Sequence, residues 1–218
     1  MKRKELMKRL MDAHHEGHPA LTIEISKRYL AQYPGDAWAL MFFGMALQDV
    51  ARYGEARSAY DHALALLPPE DHRRVYKQLG MLEQDQSNIA LAESWYRRAV
   101  EASPDDATAY IYLGAMLAKN GRLDEAEAYH RRATECMNGC IDEAYLNLGY
   151  VLRAKEMYLD ALHCFREASA RDPLDSATQA ALADMDQVLF QALGSWDKGQ
   201  VVTLADLLAS EYAVERAV

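Results

Sequence analysis

The residues that could do chemistry in this chain fall in a few small groups. His14 and His18 are four apart with His15 between them. On an unbroken helix that spacing offers two imidazole nitrogens to zinc. Gly17 and Pro19 interrupt the helix and no third ligand is near in sequence, so no metal is expected there. Cys136 and Cys140 are separated by three residues, with His130 six residues upstream of Cys136. A structural metal site needs four ligands, which leaves a buried or incidental thiol as the first reading and a redox pair under oxidation as the second. No glycine-rich phosphate loop occurs, and no serine sits on a strand–turn–helix. Carboxylates are abundant but fall on solvated helix faces. The chain is therefore expected to have no catalytic residues, no metal and no cofactor.

The bulk numbers narrow the class further. The chain has 218 residues, a formal net charge of -9, half its residues hydrophobic and a quarter charged. That composition folds. The acidic balance and the lack of a Lys/Arg-dense stripe argue against nucleic acid as a partner. The basic cluster Lys2, Arg3, Lys4, Lys8 and Arg9 reads as a solvated helix face. Three cysteines, an odd number, fit a reducing compartment. The opening segment has no apolar stretch long enough for a secretory signal, and no run of 18 apolar residues exists. The expectation is a cytoplasmic protein without membrane insertion.

The elements that position these side chains are announced by four ladders. Gly44, Gly80, Gly114 and Gly149 recur at steps of 36, 34 and 35 residues. In phase with them run Ala56, Ala92, Ala126 and Ala161; then Ala63, Ala99, Ala133 and Ala168; then Pro68, Pro104, Asn138 and Pro173. A shared offset over several ladders defines a repeating supersecondary unit. Each unit reads as two helices. In the first, helix A spans about Ala37 to Val50 and Gly54 opens helix B, which stops at Pro68. Leu40, Phe43 and Leu47 fall on one face of helix A, and Tyr60 supplies the matching bulk from helix B. Gly44 and Ala56 are small because the two helices approach closely at their crossing. Tyr76, Leu79, Gly80, Ala92, Tyr96 and Ala99 repeat the pattern, as do Tyr145, Leu148, Gly149, Ala161, Phe165 and Ala168.

These residues resemble the tetratricopeptide repeat, whose signature is large–Leu–Gly–Tyr on helix A and Ala–Phe–Ala–Pro on helix B. The resemblance covers about residues 37 to 173. It implies an all-α fold, a right-handed α-solenoid of stacked antiparallel helix pairs. The expected units are about 37–70, 71–106, 107–141 and 142–174, after a degenerate helix pair at 1–34. A cap helix at 175–193 follows, packing through Leu174, Ala177, Ala181, Met185, Val188 and Ala192. Gly194 to Gln200 reads as a turn. An amphipathic tail helix at 200–218 carries Leu204, Leu207, Leu208 and Tyr212 on one face. That face is expected against the cap helix near Phe190 and Leu193, in the groove, or on a second copy.

Departures from the pattern set expectations of their own. Asp71 is placed to cap the next helix. Asn138-Gly139 replaces a terminal proline, with Gly139 closing the helix in the left-handed region. Glu83 stands where the family prefers Tyr and needs a partner if buried; Arg98 is the candidate. His130 stands where the family prefers Phe or Tyr and reads as a hydrogen-bonded core histidine, with a ligand or pH sensor as the alternative.

In this family the A helices line a concave wall, and the resemblance places specific residues on it. They are Trp38, Met41, Met45 and Gln48; Arg74, Lys77 and Met81; Ile111; and Leu146, Tyr150 and Arg153, with Asn147 beside them. The implied groove has an apolar floor rich in Met and aromatic residues, suited to a peptide segment. The residues do not match the relatives that grip acidic chaperone tails: Met41, Met45, Gln78, Thr108 and Tyr112 stand where those use Lys, Asn and Arg. The expected function is a protein–protein interaction module, an adaptor or scaffold, binding a peptide or protein segment. The alternatives are a chaperone for a secreted or aggregation-prone partner, and self-association through the C-terminal helix as a homodimer.

Overall fold

The computed structural model describes residues 2–193, with side chains through 189. Among them are eleven α-helices: α1 (Arg3–His15), α2 (Pro19–Gln32), α3 (Ala37–Asp49), α4 (Tyr53–Leu66), α5 (His72–Asp85), α6 (Ile89–Ala102), α7 (Ala107–Lys119), α8 (Leu123–Thr134), α9 (Ile141–Ala154), α10 (Tyr158–Arg171) and α11 (Ser176–Leu193). Each helix packs on the next, and α1, α3, α5, α7 and α9 also pack on one another in that order. The result is an all-α solenoid in which the odd-numbered helices form one continuous wall.

The tight turn inside each hairpin has one recurring geometry. Gly17, Ala51, Ser87, Gly121 and Glu156 all lie in the left-handed region, at φ between 57° and 77°. The residue after each donates its N–H to a carbonyl five residues back, as from Arg52 to the Leu47 carbonyl at 2.8 Å and from Met157 to that of Leu152 at 2.9 Å. This is the Schellman closure, and it satisfies carbonyls left open at the helix end. It also cuts α1 from α2 between His14 and His18. His14 instead sets its ring at a tilt against that of Phe42, ring centres 5.1 Å apart.

Helix starts use aspartates at the opposite end of the hairpins. Asp36 accepts the Ala39 N–H at 3.2 Å, Asp106 that of Thr108 at 3.0 Å, and Asp175 that of Thr178 at 2.8 Å. Asp36 also accepts from the Tyr29 hydroxyl at 2.7 Å and from Arg3 at 2.8 Å, so one carboxylate joins α1, α2 and α3. Burial opposes its charge, but these donors more than offset that and hold its carboxyl below the usual range. Asp71, expected to cap α5, makes no cap bond. A short 3₁₀ turn (Pro69–Asp71) precedes α5, and Asp71 lies 3.6 Å from Arg74 instead.

Inside each hairpin the small residue and the bulky one meet. A β-carbon on Gly44 would lie 2.5 Å from Tyr60 Cε1, and one on Gly80 2.5 Å from Tyr96 Cε1. His130 fills that place against Gly114, and Phe165 against Gly149. Between hairpins, two matching ion clusters staple the stack. Glu93 takes Arg97 at 2.7 Å and Arg122 at 2.5 Å; Glu127 takes Arg131 at 2.8 Å and Lys155 at 2.6 Å.

Several expectations are corrected. Glu83 is buried, but its partners are Arg57 and the Asn88 amide (2.8 Å). Arg98 instead lies over the rings of Tyr76 and Trp95, 4.5 Å from each centre. Helix α8 ends at Thr134, five residues short of Gly139. Gly139 has φ +93°, and a β-carbon there would lie 2.8 Å from Asp106 Oδ1. It is small so that its loop can dock on the start of α7, where the Ala107 N–H donates to the Asn138 carbonyl at 2.9 Å. The packing face of α11 is rotated from the expected stripe: Thr178, Ala181 and Met185 are buried, while Ala177 is exposed and Leu174 is 91% exposed. Asp175 accepts from both the N–H and the hydroxyl of Thr178, which lets that polar side chain be buried, and Leu174 precedes the helix altogether. The 194–200 turn, the tail helix and the Phe190 and Leu193 side chains lie outside the described residues.

Candidate functional site

Three successive wall helices build a hollow in the predicted groove. Its volume is about 340 Å³. Helix α3 contributes Trp38, Met41, Phe42 and Met45; α5 contributes Arg73, Arg74, Lys77 and Gln78; α7 and its cap contribute Asp106, Thr108 and Ala109. Trp38 stands at the rim, 37% exposed, and Met41 is buried in the floor. Met45 is half-buried against the core around Leu40 and Leu47.

The cations of this hollow sit on aromatic rings. The Arg74 guanidinium lies 4.9 Å from the Trp38 ring centre, and the Lys77 ammonium 5.1 Å from that of Tyr112. Such contacts hold a charged group at an apolar surface without hiding it. Burial pushes the Lys77 ammonium below the usual lysine range, with Asp106 and Glu143 partly restoring it. Glu143 is pushed up by burial and by its neighbour Asp142. Arg73 is held at 3.3 Å by Asp106, which also caps α7. The arrangement is a rigid apolar cup with two ring-mounted cations and a carboxylate on its edge. It offers contact area and charge.

The other residues placed on the wall from sequence have different positions. Gln48 accepts from the Tyr60 hydroxyl at 3.0 Å and donates to Asp85 at 2.6 Å, tying α3 to α5. Met81 packs half-buried against the Tyr96 and Leu113 core. Ile111 is 3% exposed, with Ala107 and Tyr110. Leu146 packs on the Leu148, Leu152 and Phe165 cluster. Asn147 donates to the Glu143 carbonyl of its own helix at 2.9 Å. Tyr150 is exposed, with its ring edge-on to Phe165 at 5.3 Å. Arg153 is engaged by Asp184 of α11.

The structure thus brings together Trp38, Met41, Met45, Arg74 and Lys77 from the sequence-derived set. Phe42, Arg73, Gln78 and Asp106 join them, though their positions in the repeat did not assign them to the wall. Arg73 and Gln78 flank Arg74 and Lys77 in sequence, so a slightly wider reading of the same helix face would have included them.

The remaining chemical candidates are quieter. His130 is 1% exposed and its Nδ1 has no hydrogen-bond partner; burial pushes its imidazole down to about 4. The expected hydrogen bond is missing at that nitrogen, and Ala118 stands where the first two hairpins offer a glutamine. Burial raises the thiols of Cys136 and Cys140, and pushes that of Cys164 up to about 12, which disfavours the reactive thiolate. Among the described residues, no group of three or more His, Cys, Asp or Glu side chains is placed to hold a metal ion. None of their helices is long and apolar enough to cross a membrane.

Comparison with known proteins agrees with this architecture. Residues 43–106 and 77–139 match the family profile of the tetratricopeptide repeat. The human Cell division cycle protein 16 homolog is 25% identical over 173 residues, covering 73% of this chain and 27% of that protein. The chain therefore spans about a quarter of the length of that relative. A thermophilic tetratricopeptide repeat protein of Thermus thermophilus superposes with a TM-score of 0.64 at 18% identity, covering 84% of this chain and 98% of its own. YrrB, described as a tetratricopeptide repeat protein with an unusual peptide-binding site, superposes with a TM-score of 0.53 at 23% identity, covering 79% of this chain and 87% of its own.

Proposed function

We propose, from the membership of this chain in the tetratricopeptide repeat family, that it is a protein–protein interaction module seating a protein segment in the α3/α5/α7 hollow. The observation that carries this reading is the pairing of Trp38 with Arg74 above a floor of Met41 and Met45. Tryptophan and arginine are the side chains that most often dominate binding energy at interfaces. Methionine adapts to irregular apolar partners. All four stand on helices that are packed into the stack, so little ordering cost falls on the protein when a segment binds. The description of YrrB as a peptide binder lends support by analogy.

On this reading the working site is the first half of the wall. The second half contributes stability: Arg153 is spent on α11, Asn147 on its own helix, and Ile111 on the core. The chain acts as an adaptor or scaffold and not as a catalyst. Its affinity is set by a few anchors and is modest.

The test is capture of partners by the immobilised full chain from native lysate, followed by measured binding of the partner identified. Trp38→Ala and Arg74→Ala should each weaken that binding by about tenfold or more. Tyr150→Ala, at the other end of the wall, should leave it unchanged. The opposite pattern would move the site to the second half of the wall. Equal binding by all variants would place it on another face.

A further inference from the structure

The basic cluster on α1 is not used by the groove. Lys4, Lys8, Met11 and His15 recur at steps of three or four, with Met7 four before Met11, so the five share one face of α1. They border a second hollow of about 490 Å³, closed on its inner side by Tyr29 and Asp36. Arg3 turns inward to those two residues, which leaves Lys4 and Lys8 as the outward cations. Neither has an ion-pair partner among the described residues, and Met11 is 38% exposed between Lys8 and His15. Asp12 is the acidic group bordering the hollow besides Asp36. Residues 2–15 hold five Lys and Arg against Glu5 and Asp12, in a chain whose net charge is -9. A Lys-edged methionine stripe on an otherwise acidic protein attracts an acidic, apolar ligand.

The chain itself contains such a segment. Residues 203–215 lie outside the described residues, and their spacing reads as an amphipathic helix. Leu204, Leu208 and Tyr212 of its apolar face, with Glu211 and Glu215 beside them, form one series; Leu207 lies at the edge of that face. Laid antiparallel on α1, this series falls in a single register. Glu215 meets Lys4, Tyr212 meets Met7, Glu211 meets Lys8, Leu208 meets Met11 and Leu204 meets His15. In this register Leu208 and Tyr212 face methionine, and Glu211 and Glu215 face lysine. The connecting residues 194–202 span at most about 32 Å when extended. Helix α11 packs on α10 and α1 on α2 and α3, at opposite ends of the stack; the four wall steps from α1 to α9 alone, at roughly 9 Å each, exceed that span.

We propose that segment 203–215 of one copy docks antiparallel on the Lys4/Met7/Lys8/Met11 face of α1 in a second copy. The contact joins the tail of one chain to the head of the next, so it is heterologous and can propagate. It leaves the α3/α5/α7 hollow open, and an assembly of this kind would present several grooves in a row.

Light scattering of the full chain over a concentration series tests this. The wild type should exceed the mass of one chain as concentration rises, and added salt should reverse that. Lys4→Glu with Lys8→Glu, and separately Glu211→Lys with Glu215→Lys, should each weaken association about tenfold or more. An equimolar mixture of the two variants should regain it, because each supplies the charge that the other lacks. So should one chain carrying all four substitutions. Far-UV circular dichroism, expected to be unchanged, guards against misfolding. A wild type that stays at the mass of one chain throughout would overturn the proposal. So would association indifferent to the charge reversals. Binding of the α1 lysines to anionic lipid vesicles by a chain that remains single would assign that face to a membrane surface instead.

Discussion

The Tyr60 hydroxyl donates to the side-chain oxygen of Gln48 at 3.0 Å, closing the first full hairpin from inside. Tyr96 and Gln84 repeat the bond at 3.0 Å in the second. At the same two positions the third hairpin has His130 and Ala118, and the fourth has Phe165 and Arg153. Phenylalanine needs no acceptor. Histidine does need a partner, and its Nδ1 is left without one. Installing the missing pair, His130→Tyr with Ala118→Gln, should stabilise the third hairpin. In a double-mutant cycle read by urea unfolding, the coupling should be about 0.5–1.5 kcal/mol. Strictly additive single effects would show that the bond does not form there.

His130 also makes stability depend on pH. Its imidazole titrates near 4 in the folded chain, below its ordinary value of 6.5, because burial disfavours the cation. The unfolded chain therefore binds the proton more readily. The stabilisation is complete above about 6.5 and is lost as pH falls from there toward 4, by up to roughly 3 kcal/mol. His130→Phe should flatten the unfolding midpoint across that window. A profile unchanged by the substitution would assign the acid sensitivity to other groups.

The hairpin glycines split by what stands against them. Gly80→Ala drives a β-carbon into the buried Tyr96 ring and should cost about 1–3 kcal/mol, despite the better helix propensity of alanine. Gly54, in the first turn of α4, has open space where a β-carbon would stand. Gly54→Ala should be neutral or stabilising by up to about 1 kcal/mol. The thermal unfolding midpoint should fall for Gly80→Ala and hold or rise for Gly54→Ala.

The left-handed turns allow an improvement. Ala51 at φ 57° and Glu156 at φ 62° hold a conformation that Gly17 and Gly121 adopt without strain. Ala51→Gly and Glu156→Gly should each stabilise by about 0.5–1 kcal/mol, net of the entropy glycine adds to the unfolded chain. Gly121→Ala should lose a similar amount. Chemical denaturation midpoints of the variants decide the sign.

Glu83 is a buried carboxylate held by Arg57 from the preceding hairpin. Arg57→Ala leaves it half-satisfied, with only Asn88 as a side-chain donor, and should cost about 1–3 kcal/mol. Arg98→Ala should cost less, because it removes ring contacts and leaves no charge stranded. Equal losses in the two variants would contradict the assignment of the pair.

Much of this fold is set locally and so was legible in sequence. The Gly44/Tyr60 and Gly80/Tyr96 matches lie within one hairpin, where helix period and a short turn set the geometry before any other part of the chain takes part. The wall of odd-numbered helices follows, because hairpins of this shape bury their apolar faces only by stacking. What depended on side chains from different hairpins was not legible. Glu83 is met by Arg57 from the preceding hairpin, while Arg98 lies at the other end of α5, over Tyr76. The Gly139 loop has no local reason for its glycine; the reason is Asp106, brought up by the stack. The family resemblance placed Trp38 and Arg153 alike on the wall. Only the three-dimensional arrangement set one beside Arg74 over an apolar floor and turned the other to Asp184, because the curvature of the stack and the seating of α11 depend on every interface between them.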